Sequence, residues 1–133
     1  MSALLTEALT STDAVAKTRC LVVEDQALIG MSIEAYLEDM GFEVGGPISS
    51  CAEACAWLDA NTPRFALIDF KLKDGVATPL ARKLREQGVP FVVYSGLPRL
   101  RDLPPEFDGA PWIEKPIARE NLVRALATLM PNG

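Results

Sequence analysis

Short apolar runs alternate with amphipathic stretches along this chain. Cys20-Leu21-Val22-Val23, Phe65-Ala66-Leu67-Ile68 and Phe91-Val92-Val93-Tyr94 are continuous, the pattern of strands buried on both faces. Phe42-Glu43-Val44 alternates and predicts a more exposed strand at an edge, and Trp112-Ile113 predicts a short fifth strand. Between them Ile29, Ile33, Tyr36, Leu37 and Met40 recur at helical spacing, so a helix opens near Ala27 and Gly41 supplies its stop. Ser49 and Ser50 can cap a second helix running to about Ala60, with Ala54, Cys55 and Leu58 facing inward. Thr78-Pro79 predicts the start of a third helix, threonine as cap and proline at the first helical position, and Gly88 ends it. Leu122, Ala125, Leu126 and Leu129 give a last helix its apolar face.

Strands alternating with helices predict right-handed βαβ crossovers and a parallel sheet covered on both faces. The stretch from Leu97 to Gly109 carries Pro98, Pro104 and Pro105 and admits at most a short or interrupted fourth helix. Residues 1–18, rich in Ala, Ser and Thr, are expected to form a flexible N-terminal tail, which leaves the folded domain at 19–131. At 133 residues one domain is expected, with no room for a second folded output domain.

Composition narrows the chemistry. The net charge is -5 without a block of Lys and Arg, so a protein partner is expected and DNA is not. No apolar stretch approaches the roughly 20 residues of a membrane span, and the N-terminus lacks a signal peptide's pattern; membrane insertion is not expected, and the expected location is cytoplasmic. The 3 cysteines read as reduced thiols acting as small hydrophobes. The absence of histidine is more decisive. It removes Ser-His-Asp and Cys-His catalysis, His-ligated zinc and a phosphohistidine carrier role. Carboxylates, hydroxyls and lysine remain.

Those groups fall at strand ends. Glu24-Asp25 follows the first strand, Asp69 the third, Ser95 the fourth and Lys115 the fifth. In an open parallel sheet ligands bind at the carboxyl ends of the strands, so these residues can share one crevice. Converging carboxylates raise one another's pKa unless a cation neutralises them, and Mg2+ takes such oxygen ligands. A carboxylate held beside it can attack phosphorus and become an acyl phosphate, with Ser95 and Lys115 binding phosphoryl oxygens. Plainer roles exist for each residue: a turn carboxylate at Asp69, a helix cap at Glu24-Asp25, a turn hydroxyl at Ser95, a surface ammonium at Lys115 and a core indole at Trp112. The convergence favours a site.

Glu24-Asp25, Asp69-Phe70-Lys71-Leu72-Lys73-Asp74-Gly75, Ser95-Gly96 and Lys115-Pro116, in this order at these strand ends, resemble the receiver domain of bacterial response regulators over about residues 19–130. The resemblance implies a flavodoxin-like doubly wound five-stranded parallel sheet of order 2-1-3-4-5. It makes Asp69 the phosphoacceptor, and Asp25 a direct Mg2+ ligand with Glu24 acting through water or directly. Asp69 itself and the backbone carbonyl of Lys71 complete the protein ligands. Ser95 stands at the family's switching hydroxyl, Lys115 at its phosphate-binding lysine before a cis proline, and Trp112 at its aromatic switch. The Lys71 side chain would sit at the mouth of the site and modulate phosphoryl lifetime. The segment from Val89 to Gly96 also resembles stand-alone alphaproteobacterial receivers that carry Phe-Ala-Thr-Gly before a degenerate fourth helix; Tyr94 and Ser95 depart from that pattern.

The function so implied is a single-domain response regulator in a two-component phosphorelay. It would take phosphate from a histidine kinase or histidine phosphotransfer protein and act on a downstream protein, with no separate turnover activity. Two alternatives stand beside it. A haloacid-dehalogenase-type Mg2+-dependent phosphatase shares the aspartyl-phosphate, hydroxyl and lysine, but requires a second Asp where this chain has Lys71. A receiver-like module could also bind partners without phosphorylation. Neither G-x-G-x-x-G nor the P-loop pattern occurs, which disfavours a nucleotide-binding domain.

Overall fold

The structure, a computed structural model, describes residues 18–98 and 102–129. Its elements are β1 (Arg19–Val23), α1 (Ala27–Asp39), β2 (Glu43–Ile48), α2 (Cys51–Ala60), β3 (Phe65–Asp69), β4 (Lys71–Leu72), β5 (Gly75–Val76), α3 (Thr78–Glu86), β6 (Phe91–Ser95), β7 (Trp112–Glu114) and α4 (Arg119–Leu129). The main sheet is parallel in the order β2-β1-β3-β6-β7; with β4 and β5 set aside as a separate hairpin, this is the order 2-1-3-4-5. The fold is the flavodoxin-like doubly wound α/β sheet.

Alternation along the strands divides the core into two layers. Leu21, Val23, Ala66, Ile68 and Val93 pack with Ala54 and Leu58 of α2 and with Leu80, Ala81 and Leu84 of α3. Cys20, Val22, Phe65, Leu67, Val92 and Tyr94 pack on the other face with Ile33 and Leu37 of α1 and with Leu122, Ala125 and Leu126 of α4. β3 and β6 are buried at every position, as their continuous apolar runs require.

Two local readings are corrected, and one of the plainer alternatives is not realised. Strand β2 extends well beyond Val44, through Gly45, Gly46 and Pro47 to Ile48. It is an edge strand, so a proline without an N–H is tolerated there, and its register shifts against β1 between Leu21 and Val23. Thr78 is not the cap of α3. Ala77 takes that position with no side-chain cap bond, and its N–H donates to the Phe70 carbonyl at 2.8 Å; Thr78 and Pro79 are the first two helical residues. Nor do the acids after β1 cap α1, because Gln26 occupies the cap position and the first turn contains no acid. Ser50, by contrast, caps α2 by accepting the Glu53 N–H at 3.1 Å.

The expected tail lies outside the described residues except for Thr18, whose carbonyl accepts the Glu43 N–H at 2.8 Å and so joins the β1–β2 edge. After Ser95 the described residues contain no fourth α-helix before β7, only a 3-10 turn at Pro105–Phe107. Residues 99–101 of that stretch lie outside the described residues. The turn is anchored by a ring and two arginines. Phe107 is fully buried, 5.2 Å from the Phe70 ring and 6.4 Å from that of Phe91. Arg82 donates to Glu106 Oε2 from Nε at 3.1 Å and Nη2 at 3.0 Å, while Arg85 donates to the carbonyls of Glu106 and Asp108.

Candidate functional site

Parallel strands bring the carboxyl ends of β1, β3, β6 and β7 to one edge, and the predicted residues meet there. Lys115 Nζ lies 2.8 Å from Asp69 Oδ2 and 2.9 Å from Glu24 Oε1. Glu24, Asp25 and Asp69 each present a carboxylate oxygen, and these oxygens lie within 4.8 Å of one another. The Lys115–Pro116 bond is cis.

Burial differs sharply across the cluster. Glu24 is 2% exposed and Asp69 6%, so neither charge is well solvated. Glu24 Oε2 accepts the Gln26 N–H at 2.9 Å. Its Oε1 has the Lys115 charge nearby but no donor in hydrogen-bonding alignment. Asp69 Oδ1 has only a long contact, 3.4 Å from the Lys71 N–H. Three formal negative charges therefore face one ammonium. The Asp25 carboxyl is raised above its ordinary range, first by burial and then by its hydrogen bond to Glu24 and that neighbour's charge. Burial alone would lower the Lys115 ammonium, but the hydrogen bond to Asp69 and the close negative charges of Asp69 and Glu24 together raise it.

These residues fit Mg2+. All side-chain donors are hard oxygens, the cluster has surplus negative charge, and one buried Glu24 oxygen lacks a hydrogen-bond donor. They open onto a cleft of about 430 Å³ whose lining includes Asp25, Asp69, Lys71, Ser95, Gly96 and Lys115. Lys71 thus reaches the cleft as well as the Asp69 carboxylate.

Comparison with known proteins gives the same family. No protein-family model matches the sequence. SdrG from Sphingomonas melonis Fr1 is 31% identical, and the match covers 86% of this chain and 97% of SdrG with a TM-score of 0.74. A CheY-like response-regulator receiver domain from Methylobacillus flagellatus is 26% identical, with 86% of this chain and 99% of that one covered and a TM-score of 0.72. The chain belongs to the response-regulator receiver family. The transcriptional regulatory protein PdtaR of Mycobacterium tuberculosis is 29% identical over 124 residues, 88% of this chain. The receiver spans 58% of the length of that curated relative.

Two neighbours in this receiver carry no signal in the apolar pattern that would mark them as part of the site. Tyr94, a member of the β6 run, is fully buried and places its ring 5.4 Å from Lys115 Nζ. Its hydroxyl donates to the Val23 carbonyl at 3.2 Å, next to Glu24. Burial, and then the Glu24 and Asp69 charges, push that hydroxyl well above its ordinary pKa, so it remains a neutral donor. Leu97 is the second. Its N–H donates to Ser95 Oγ at 3.1 Å and its carbonyl accepts the Trp112 indole N–H at 3.2 Å. Trp112 also packs 5.3 Å from the Phe70 ring, one residue after Asp69. The indole is therefore both packed and tied to the segment beside Ser95.

Proposed function

We propose that this receiver accepts a phosphoryl group on Asp69 from the phosphohistidine of a histidine kinase or histidine phosphotransfer protein. In the transfer an Asp69 carboxylate oxygen attacks phosphorus, the O–P bond forms as the P–N bond breaks, and the electron pair returns to the donor imidazole, which takes up a proton. Lys115 offsets charge on the phosphoryl oxygens, and the Ser95 hydroxyl donates to one of them. Glu24, Asp25, Asp69 and the Lys71 carbonyl would hold Mg2+, which supplies charge neutralisation and orientation for the incoming group. Tyr94 holds the strand end below Lys115. The observation that carries the reading is the position of Lys115 Nζ between Asp69 and the buried Glu24, on the wall of an open cleft.

Output would pass through association of this receiver with a downstream protein. Two exposed apolar side chains on α1, Leu28 at 79% and Met31 at 58%, support a protein partner. No described helix is long and apolar enough to cross a membrane.

The test is titration with beryllofluoride, a phosphoryl mimic, with and without Mg2+, followed by tryptophan fluorescence. SdrG has been solved in a BeF3-activated conformation, which recommends the probe. An Mg2+-dependent response that disappears in Asp69→Ala is expected. No response, or binding that persists in that variant, would overturn the phosphoacceptor assignment. Hydrolysis of free phosphate esters would favour the phosphatase alternative.

A further inference from the structure

The segment that follows Asp69 is a small hairpin with an anchor at each end. β4 and β5 pair antiparallel, Lys71 with Val76 and Leu72 with Gly75. At its base the Ala77 N–H donates to the Phe70 carbonyl at 2.8 Å. At its tip the Asp74 carboxylate reaches the first turn of α2, accepting the Cys51 N–H on Oδ1 at 2.9 Å and the Ala52 N–H on Oδ2 at 3.1 Å.

The first amides of a helix have no partner within it and lie at the positive end of its dipole. In α2 they are divided between two sources. Ser50 takes the Glu53 N–H, and Ser49 and Ser50 both donate their hydroxyls to Glu53 Oε1, at 3.1 and 3.2 Å. That reciprocal cap leaves the Cys51 and Ala52 donors to a carboxylate on a separate element. Both oxygens of Asp74 are used, and these two bonds hold its carboxyl below the ordinary carboxylate range.

We infer that Asp74 is a positioning residue for the cation and phosphoryl site. It acts through the hairpin, since β4 contains Lys71, which lines the cleft and whose N–H meets Asp69 Oδ1. A two-residue ladder is too short to hold its own geometry. With the tip bound to α2, Lys71 is fixed relative to Asp69 from both ends of the hairpin. Without Asp74 the base remains closed, the tip is free, and the Lys71 backbone samples positions in which it no longer faces the site. This inference rests on the proposed role of Asp69 and Lys71.

The experiment is Mg2+ and beryllofluoride titration of the wild-type chain, Asp74→Ala and Asp74→Asn, with folding checked by circular dichroism. A wild type that does not respond removes the phosphoacceptor reading itself. Given a wild-type response, Asp74→Ala should need roughly tenfold or more Mg2+, the range seen when outer-shell partners of metal ligands are lost. Asp74→Asn, which keeps one acceptor oxygen for one of the two α2 amides but sets a donor NH2 against the other, should recover part of that loss. An Asp74→Ala midpoint equal to wild type overturns the inference, as does an equal loss in both variants. Should Asp74→Ala fail to fold, amide hydrogen exchange of the wild type decides the matter. By linkage Mg2+ must then slow exchange at Cys51 and Ala52, and unchanged exchange there overturns the inference.

Discussion

The indole N–H of Trp112 donates to the Leu97 carbonyl at 3.2 Å, and so ties β7 to the residue whose own N–H holds the Ser95 hydroxyl. If Ser95 shifts towards a phosphoryl group as proposed, the movement would be passed to Leu97 and, through it, to the indole. The hydroxyl and the aromatic residue expected to form a switch are thus linked through the Leu97 backbone.

Trp112→Phe keeps the ring against Phe70 and deletes this bond, which typically contributes about 0.5–1.5 kcal/mol. Mg2+-dependent beryllofluoride binding should survive, and the fluorescence change should disappear. Trp57, left as the only tryptophan, is on α2 beside Gly45 and is expected to be silent. A full fluorescence response in Trp112→Phe, with binding followed independently by calorimetry, would show that the link does not carry the change.

Asp25 gives a pH-dependent prediction. Its folded-state pKa is raised from 3.8, first by burial and then by Glu24, so the folded state binds more protons than the unfolded one across that window. Stability without Mg2+ must therefore fall as pH rises through it. Asp25→Asn should raise the urea midpoint at neutral pH in the absence of cation. The difference should close as pH drops through the folded-state pKa, where wild-type Asp25 is neutral too. Excess Mg2+ should reverse the order, since the wild type gains more binding free energy. An Asp25→Asn midpoint at or below wild type throughout the cation-free series would contradict the electrostatic argument.

The irregular segment before β7 should behave as core. Phe107→Ala empties a fully buried site between Phe70 and Phe91 and should cost roughly 3–5 kcal/mol in denaturant unfolding. Arg82→Ala breaks only an ion pair whose arginine side chain is 57% exposed, and should cost about 0–1 kcal/mol. Comparable losses in the two variants would mean that the arginine contact, rather than the ring, holds the turn.

Much of the architecture is legible because its signals are local. A strand covered on both faces must be continuously apolar, and Leu21 to Val23, Phe65 to Ile68 and Phe91 to Tyr94 are. Their order and connections then place Glu24, Asp69, Ser95 and Lys115 at one sheet edge. The hairpin at Lys71–Val76 is invisible in the same pattern, because two-residue strands have no periodicity to detect. Thr78-Pro79 misleads for a related reason: the carbonyl of Phe70 fixes Ala77 just before the helix, and Ala77 displaces the better capping residue. The length of β2 was likewise hidden, since Gly45, Gly46 and Pro47 are poor strand formers that an edge tolerates.

The sequence alone determined the doubly wound sheet and the set of chemical groups at its carboxyl edge, because periodicity and strand ends are properties of contiguous residues. Tertiary structure decided how those groups pair: Lys115 between Glu24 and Asp69, the Tyr94 ring near the ammonium, Asp74 on the first turn of α2, and Trp112 on Leu97. Such contacts depend on ångström-scale distances between elements far apart in the chain. The physical reason is that a hydrogen bond or ion pair is selected by packing of whole elements, and no local pattern of polar and apolar residues encodes that distance.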